Sequence, residues 1–399
     1  MKTKFASRMK SVPRSFIREI LKVTTDPEII SFAGGLPNLQ MIPVRELEAA
    51  ADKVFESDGT RALQYSTTEG YYHLREWICK RYLEKKGIKA SPDDILITTG
   101  SQQALDLLSK VLIDKDDRVV IEKPGYLGAI QAMSVFQPKF NAVEVDETGV
   151  DTDKLEKVFK AKKPKLFYAV PNFQNPSGIT YSDAVRKKTA VLCKKYSVLF
   201  VEDDPYGELR FEGNDMPAVK NYLGKDGVMF GSFSKIVAPG LRLGWVFAPK
   251  DIMERIVTVK QAADLHTNFL AQRITYQYLL DNSIDAHIEK LRKVYGVHAK
   301  AMLSAIEKYF PQEVAYTRPQ GGMFIWANLP KGLSAMDMIK PALKDKVAFV
   351  PGDPFYTDVK DANTMRLNYS NAAPDVITEG IKRLGNTIKK LIGKGCAKK

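Results

Sequence analysis

From about residue 91 the chain repeats one pattern, a short run rich in β-branched and aromatic residues followed by an amphipathic helix. The runs are Ile95 to Thr99, Arg118 to Glu122, Asn141 to Val145, Lys165 to Val170, Val198 to Glu202, Val228 to Phe230 and Gly244 to Phe247. Several are apolar on both faces. Such strands need cover on both sides, and helices between successive strands give it in a mostly parallel sheet. The pattern predicts an α/β fold whose large domain holds a mostly parallel seven-stranded sheet between helices. Later strand candidates, Gly322 to Trp326, Val347 to Val350 and Met365 to Tyr369, mix with helices and read as a smaller α/β domain.

Composition narrows the function classes. The chain has 399 residues, 44% of them apolar, enough for two packed domains. No window of about 18 apolar residues appears, which predicts no membrane span. The start is basic but has no apolar core or cleavage site of a secretory signal. Cys79, Cys193 and Cys396 are far apart and odd in number, which fits a reducing cytoplasm and no disulfide framework. The four histidines, His73, His266, His287 and His298, have no metal-ligand spacing, so no metal is expected. The net charge is +13, from 60 Lys and Arg against 47 Asp and Glu. These bases are spread along the chain, apart from a basic tail after Lys389, so a solvated surface is expected and no nucleic acid partner. A positive field also helps to capture carboxylates.

The chemically rich loops follow the ends of the expected strands, where open α/β sheets bind ligands. Gly100-Ser101-Gln102-Gln103 opens a helix, whose free N–H groups and dipole favour an anion. Tyr126 follows Pro124-Gly125 and offers a ring to stack on a flat ligand. Asn175-Pro176-Ser177-Gly178 is a turn. Glu202-Asp203-Asp204 places three acids at the end of a buried strand, which is costly unless one meets a cation. Further upstream, Gly34-Gly35-Leu36-Pro37 marks a tight turn where backbone approaches a ligand closely. Residues 12–25 read as a short amphipathic helix, with Arg18 beside its apolar face.

The richest stretch runs from Gly231 to Trp245. Ser232 and Ser234 precede Lys235, and Arg242 follows seven positions later. Hydroxyls and a guanidinium suit a phosphate. A lysine in an apolar run loses its proton readily, since desolvation disfavours the ammonium. An amine beside a phosphate site points to a Schiff base with a phosphorylated aldehyde.

Together these loops resemble the fold-type I pyridoxal-phosphate enzymes, specifically the class I/II aminotransferases and, among them, the kynurenine/2-aminoadipate aminotransferase group. The matching stretches are Ser31 to Asn38, Ala62 to Tyr65, Gly100 to Gln103, Pro171-Asn172 with Asn175 to Gly178, Glu202 to Tyr206, Ser232 to Lys235, Gly240 to Arg242 and Arg366 to Asn368. They occur in family order over almost the whole chain. Two departures are mild: Ser177 stands where the family often has Thr, and Pro205 stands where distant relatives more often have alanine.

The resemblance implies pyridoxal 5'-phosphate as cofactor, with an L-amino acid donor and a 2-oxo acid acceptor, 2-oxoglutarate foremost. It implies that Lys235 binds the cofactor covalently and moves the proton at the substrate Cα. Asp203 would pair with the ring nitrogen, while Asn175 and Tyr206 would bond the ring 3-oxygen. Ser101, Gln102, Ser232, Ser234 and Arg242 would hold the phosphate, with Tyr126 on one ring face and Pro205 on the other. Arg366 would take the substrate α-carboxylate with Asn175, near Gly35. Arg18 would read a distal carboxylate. Tyr65 would reach the phosphate of a second subunit in a homodimer with shared sites. The implied organisation is 1–44 joining the small domain, 45–290 the large cofactor-binding domain and 291–399 the small domain.

Two rival functions are weighed against this. A lyase or decarboxylase on the same cofactor would need no 2-oxo acid. A transcription regulator with an aminotransferase-like domain would need an N-terminal winged helix, and about 30 residues before Gly34 leave no room for one.

Overall fold

The computed structural model describes residues 3–10 and 26–396. The expected helix at 12–25, and Arg18 with it, lies outside the described residues. The main sheet has eight strands in the spatial order Ile95–Thr98, Gly244–Phe247, Val228–Ser232, Leu199–Asp203, Leu166–Ala169, Arg118–Lys123, Lys139–Asp146 and Gly149–Val150. Seven are the expected ones. The eighth, Gly149–Val150, is a two-residue strand that folds back antiparallel on Val145 and Asp146. Pairing is parallel from Arg118–Lys123 and its two neighbours through to Val228–Ser232. Gly244–Phe247 runs antiparallel to both of its neighbours.

Alternation along these strands feeds two separate cores. Val119, Ile121, Tyr168 and Val201 enter one hydrophobic cluster, and Val120, Phe167 and Phe200 enter the other. That is the period-two geometry of a strand covered on both faces. Each fully buried Phe contributes about 1.5–3 kcal/mol of transfer free energy. The covering helices start where side chains supply caps: Asp151 accepts from the N–H groups of Asp153 and Lys154, and Asn268 from Ala271.

A second sheet, in the order Ala315–Tyr316, Phe324–Asn328, Thr364–Asn368 and Val350–Pro351, is antiparallel throughout. Ile30–Ser31 pairs in parallel with Val347–Ala348, so the N-terminal segment packs beside C-terminal strands. The expected strand over 347–350 is thus two short strands with different partners. The helix Ile284–Tyr309 runs unbroken across position 290. Among the described residues no helix is long and apolar enough to cross a membrane.

Candidate active site

Five of the parallel-sheet strands end on the same edge, and the loops that leave them meet the Gly34-Gly35 turn and the Arg366 strand around one cavity of about 360 Å³. It is lined by Gly35, Ser101, Gln102, Tyr126, Asn175, Asp203, Pro205, Tyr206, Ser232, Ser234, Lys235, Arg242 and Arg366, together with Val170 and Pro239. Every sequence-derived site residue among the described ones is therefore in one place except Tyr65. Val170 and Pro239 were not foreseen; both are apolar and flank motif residues, so nothing in their type marked them.

Asp203 is buried at the end of its strand. Tyr168 donates to its Oδ2 at 2.6 Å, and among the described residues Oδ1 has no hydrogen-bond partner. Burial pushes the carboxyl up to about 7, partly opposed by the Tyr168 hydrogen bond. A buried carboxylate with a free oxygen calls for a cation from outside the chain. Its neighbours face elsewhere. Glu202 accepts from the backbone N–H groups of Val219 and Lys220, and Asp204 accepts from Lys86 at 2.7 Å and Asn172 at 2.8 Å.

Lys235 donates to the carbonyl of Gly35 at 2.8 Å. Burial, with Arg366 and Arg242 nearby, pulls its ammonium down to about 8, so it gives up its proton far more readily than an ordinary lysine. Arg366 is buried; its Nη1 donates to Asn175 Oδ1 and its Nη2 to the Ala33 carbonyl, both at 2.8 Å. The guanidinium lies 4.4 Å from the centre of the Phe324 ring and 5.2 Å from that of Phe355. Asn175 Nδ2 donates to Tyr206 Oη at 3.3 Å, and burial raises the Tyr206 phenol above its ordinary value. Burial likewise raises Tyr126, to about 12, so it stays neutral.

The anion cup is shaped by backbone. Gly100 has φ +72°, and a Cβ there would sit 2.5 Å from Arg242 Nη2, so only glycine lets the guanidinium lie over this turn. Arg242 itself donates to the carbonyls of Pro239 and Thr99. Gly178, at φ +71°, would place a Cβ 2.4 Å from the Phe324 carbonyl; this close approach joins the Asn175 turn to the strand that flanks Arg366. Ser232 Oγ accepts from the Ser234 N–H at 3.1 Å.

The family model for aminotransferase class I and II matches residues 29–384. The chain belongs to the class I and II aminotransferases. A 2-aminoadipate transaminase of Thermus thermophilus is 43% identical over 385 residues, 96% of this chain and 95% of that protein. Aromatic-amino-acid aminotransferase 1 of Thermococcus litoralis is 40% identical, over 96% of this chain and 94% of its own. The crystal structure of an α-aminoadipate aminotransferase from Thermus thermophilus, complexed with N-(5'-phosphopyridoxyl)-L-leucine, superposes with a TM-score of 0.91 at 40% identity, covering 98% of both chains. This aminotransferase therefore has the fold-type I architecture.

The residues present fit a phosphorylated pyridine. The free Asp203 oxygen suits a protonated ring nitrogen, and the cup at Gly100 to Gln102 with Arg242 suits a phosphate. Beyond Val170 and Pro239, three residues around the aminotransferase site escaped the sequence reading: Tyr168, which bonds Asp203, and Phe324 and Phe355, which frame Arg366. Tyr168 had a signal, since it is the polar member of an otherwise apolar strand.

Tyr65 lies elsewhere. It is 79% exposed and touches the edge of the His266 ring, with 5.8 Å between ring centres.

Proposed function

We propose that this aminotransferase takes its amine from an aromatic, branched-chain or 2-aminoadipate-like L-amino acid and passes it to a 2-oxo acid, 2-oxoglutarate foremost. The observation that carries it is Arg366: a buried guanidinium, held by Asn175 and Ala33 and flanked by two rings, in the same cavity as a lysine with a readily lost proton. A planar fork of that kind takes a carboxylate bidentately. The names of the 43% and 40% identical relatives support the 2-aminoadipate and aromatic members of that range.

The enzyme depends on pyridoxal 5'-phosphate, which when bound supplies the aldehyde that takes up the amine and an electron-withdrawing ring that stabilises negative charge at the substrate Cα. The residues would take these roles. Ser101, Gln102, Ser232, Ser234 and Arg242 would hold the phosphate. Tyr126 and Pro205 would cover the ring faces, and Asn175 and Tyr206 would bond the ring 3-oxygen. Asp203 would keep the ring nitrogen protonated. Lys235 would anchor the group and, as a free amine, remove and return the proton at the substrate Cα. Arg366 would orient the substrate by its α-carboxylate, and Gly35 would line its approach. Arg18 is proposed to read a distal carboxylate.

We also propose the division 1–44, 45–290 and 291–399, supported by the pairing of Ile30–Ser31 with Val347–Ala348, and a cytoplasmic location, supported by the free, buried Cys79 and Cys193.

A half-reaction screen tests the donor. Each of the twenty amino acids, 2-aminoadipate and kynurenine is mixed with the loaded enzyme, and conversion of the cofactor absorption band is followed. Aromatic, branched-chain or 2-aminoadipate donors should convert the band fastest, and turnover should require a 2-oxo acid. Repeated turnover without a 2-oxo acid would instead mark a lyase or decarboxylase.

The homodimer with shared sites is the second part of the proposal. Tyr65 is far more exposed than an aromatic side chain usually is, and Leu39 and Leu63 are exposed at 66% and 67%. A two-fold interface would cover such side chains and bring Tyr65 to the partner's phosphate, each contact occurring twice. Mixing Tyr65→Ala subunits with Lys235→Ala subunits should then give hybrid dimers with one intact site and activity above either parent. Subunit exchange without recovered activity would place Tyr65 in the service of its own chain.

A further inference from the structure

A buried lysine outside the cavity stands behind the anion cup. Lys260, on the helix Lys250–Ala263, is 0% exposed. An isolated ammonium at such depth would be strongly unfavourable. Here all three donors are used: Nζ reaches Asp264 Oδ1 at 2.7 Å, Gln103 Oε1 at 3.0 Å and Thr267 Oγ1 at 3.1 Å. None of these partners touches the cavity. Each continues to Thr99, the residue just before the Gly100 turn. Gln103 Oε1 also accepts from the Thr99 N–H at 2.8 Å. Asp264 Oδ2 accepts from Gln103 Nε2 at 2.6 Å and from Thr99 Oγ1 at 3.3 Å. Thr267 Oγ1 lies 3.4 Å from Thr99 Oγ1 and donates to the Ile97 carbonyl at 3.3 Å.

Thr99 is thus fixed at its N–H and its hydroxyl by one network centred on Lys260. Its remaining polar group, the carbonyl, accepts from Arg242 Nη2 at 3.4 Å. The same short segment therefore sets the direction of the N–H groups that open the Gly100–Leu112 helix and the position of the guanidinium over them. Helix-terminus N–H groups hold an anion only if their direction is fixed beforehand.

We infer that Lys260 is a positioning residue for phosphate binding: through Gln103, Asp264 and Thr267 it holds Thr99, and with it the Gly100–Gln102 turn and Arg242, in the geometry that receives the phosphate of the cofactor. This rests on the reading of Ser101, Gln102 and Arg242 as the phosphate cup.

Pyridoxal 5'-phosphate and pyridoxal differ only in the phosphate, so their dissociation constants from the apoenzyme separate cup geometry from general stability. Both are measured by absorbance titration, beside the melting temperature of the apoenzyme. Lys260→Met should weaken the phosphorylated form by about tenfold or more, as loss of an outer partner does at other preorganised sites, and pyridoxal by less than about threefold. A merely structural lysine would weaken both alike, and that result, or no change in either, overturns the inference. If Lys260→Met does not fold, Gln103→Leu leaves the Lys260–Asp264 pair in place and removes the bridge to the Thr99 N–H; it should show a selective loss of the same kind, and an unselective one counts equally against the inference. Arg242→Met is the control. If it fails to discriminate the two ligands, the cup itself is misassigned and the inference falls with it. If it discriminates while both other variants do not, the cup stands and only the role of Lys260 is wrong.

Discussion

Lys235→Ala should lower amine transfer by at least about 10²–10⁴-fold, the contribution of positioned acid–base catalysis alone, without unfolding the chain. The side chain lines a cavity and, among the described residues, makes one hydrogen bond, to the Gly35 carbonyl. Its loss empties no packed core and strands no buried charge. Burial lowers two other lysines as well: Lys220 to about 8, and Lys260 below its ordinary value. A readily deprotonated amine is thus not by itself diagnostic. Geometry separates the three. Lys220 Nζ donates to the carbonyls of Lys225 and Gly227 and lies over the Phe247 ring. Lys260 is saturated by Asp264, Gln103 and Thr267. Only Lys235 shares the cavity with Asp203, Tyr206 and Arg366. Borohydride reduction of the loaded enzyme, followed by peptide mapping, should therefore place the cofactor label on Lys235. Label on Lys220 or Lys260 would move the site to another part of the molecule.

The same contrast shows what a sequence can carry. The strands of the main sheet were legible because a strand buried on both faces must be apolar throughout, and Ile95–Thr98 or Leu166–Ala169 can be little else. Gly149–Val150 and Ala315–Tyr316 are two residues each, too short for any period to register. The change from large to small domain does not mark the chain at 290, because the helix Ile284–Tyr309 keeps its apolar face on both sides of that point. Most of the lining of the cavity was legible because open α/β sheets put ligands at strand ends, and most of the motifs follow a strand of the main sheet. What stayed hidden depends on pairs distant in sequence. Tyr168 meets Asp203 across 35 positions, Lys86 meets Asp204 across 118, and Lys260 meets Gln103 across 157. A lone tyrosine in a strand or lysine in a helix has no local pattern that names its partner.

Asp203→Asn and Asp204→Asn should fail in opposite ways. The two carboxyls are adjacent, yet strand geometry turns them to opposite faces. Asp203 faces the cavity with one oxygen unpartnered among the described residues, and burial holds it near 7 until a cation comes opposite. A pyridinium nitrogen would stabilise the ionised form, and the carboxylate in return would keep that nitrogen protonated. An amide carries no charge and cannot do so. Asp203→Asn should therefore lower amine transfer by about 10²–10³-fold or more, the range for losing one oriented electrostatic group, with the cofactor retained and the melting temperature little changed. Asp204 is different. Burial tends to raise its carboxyl, but Lys86 and Asn172 outweigh this and hold it below its ordinary value. Its side chain and that of Lys86 are 3% and 15% exposed. Asp204→Asn leaves the Lys86 ammonium buried without its counter-charge, a loss of about 3–5 kcal/mol for a broken buried pair, and should lower the melting temperature while leaving the chemistry of folded molecules close to wild type. Activity per folded molecule and thermal unfolding, measured on both variants, separate the two roles. A folded Asp204→Asn enzyme that has lost more activity than Asp203→Asn would show that the carboxylate serving the cofactor is the other one of the pair.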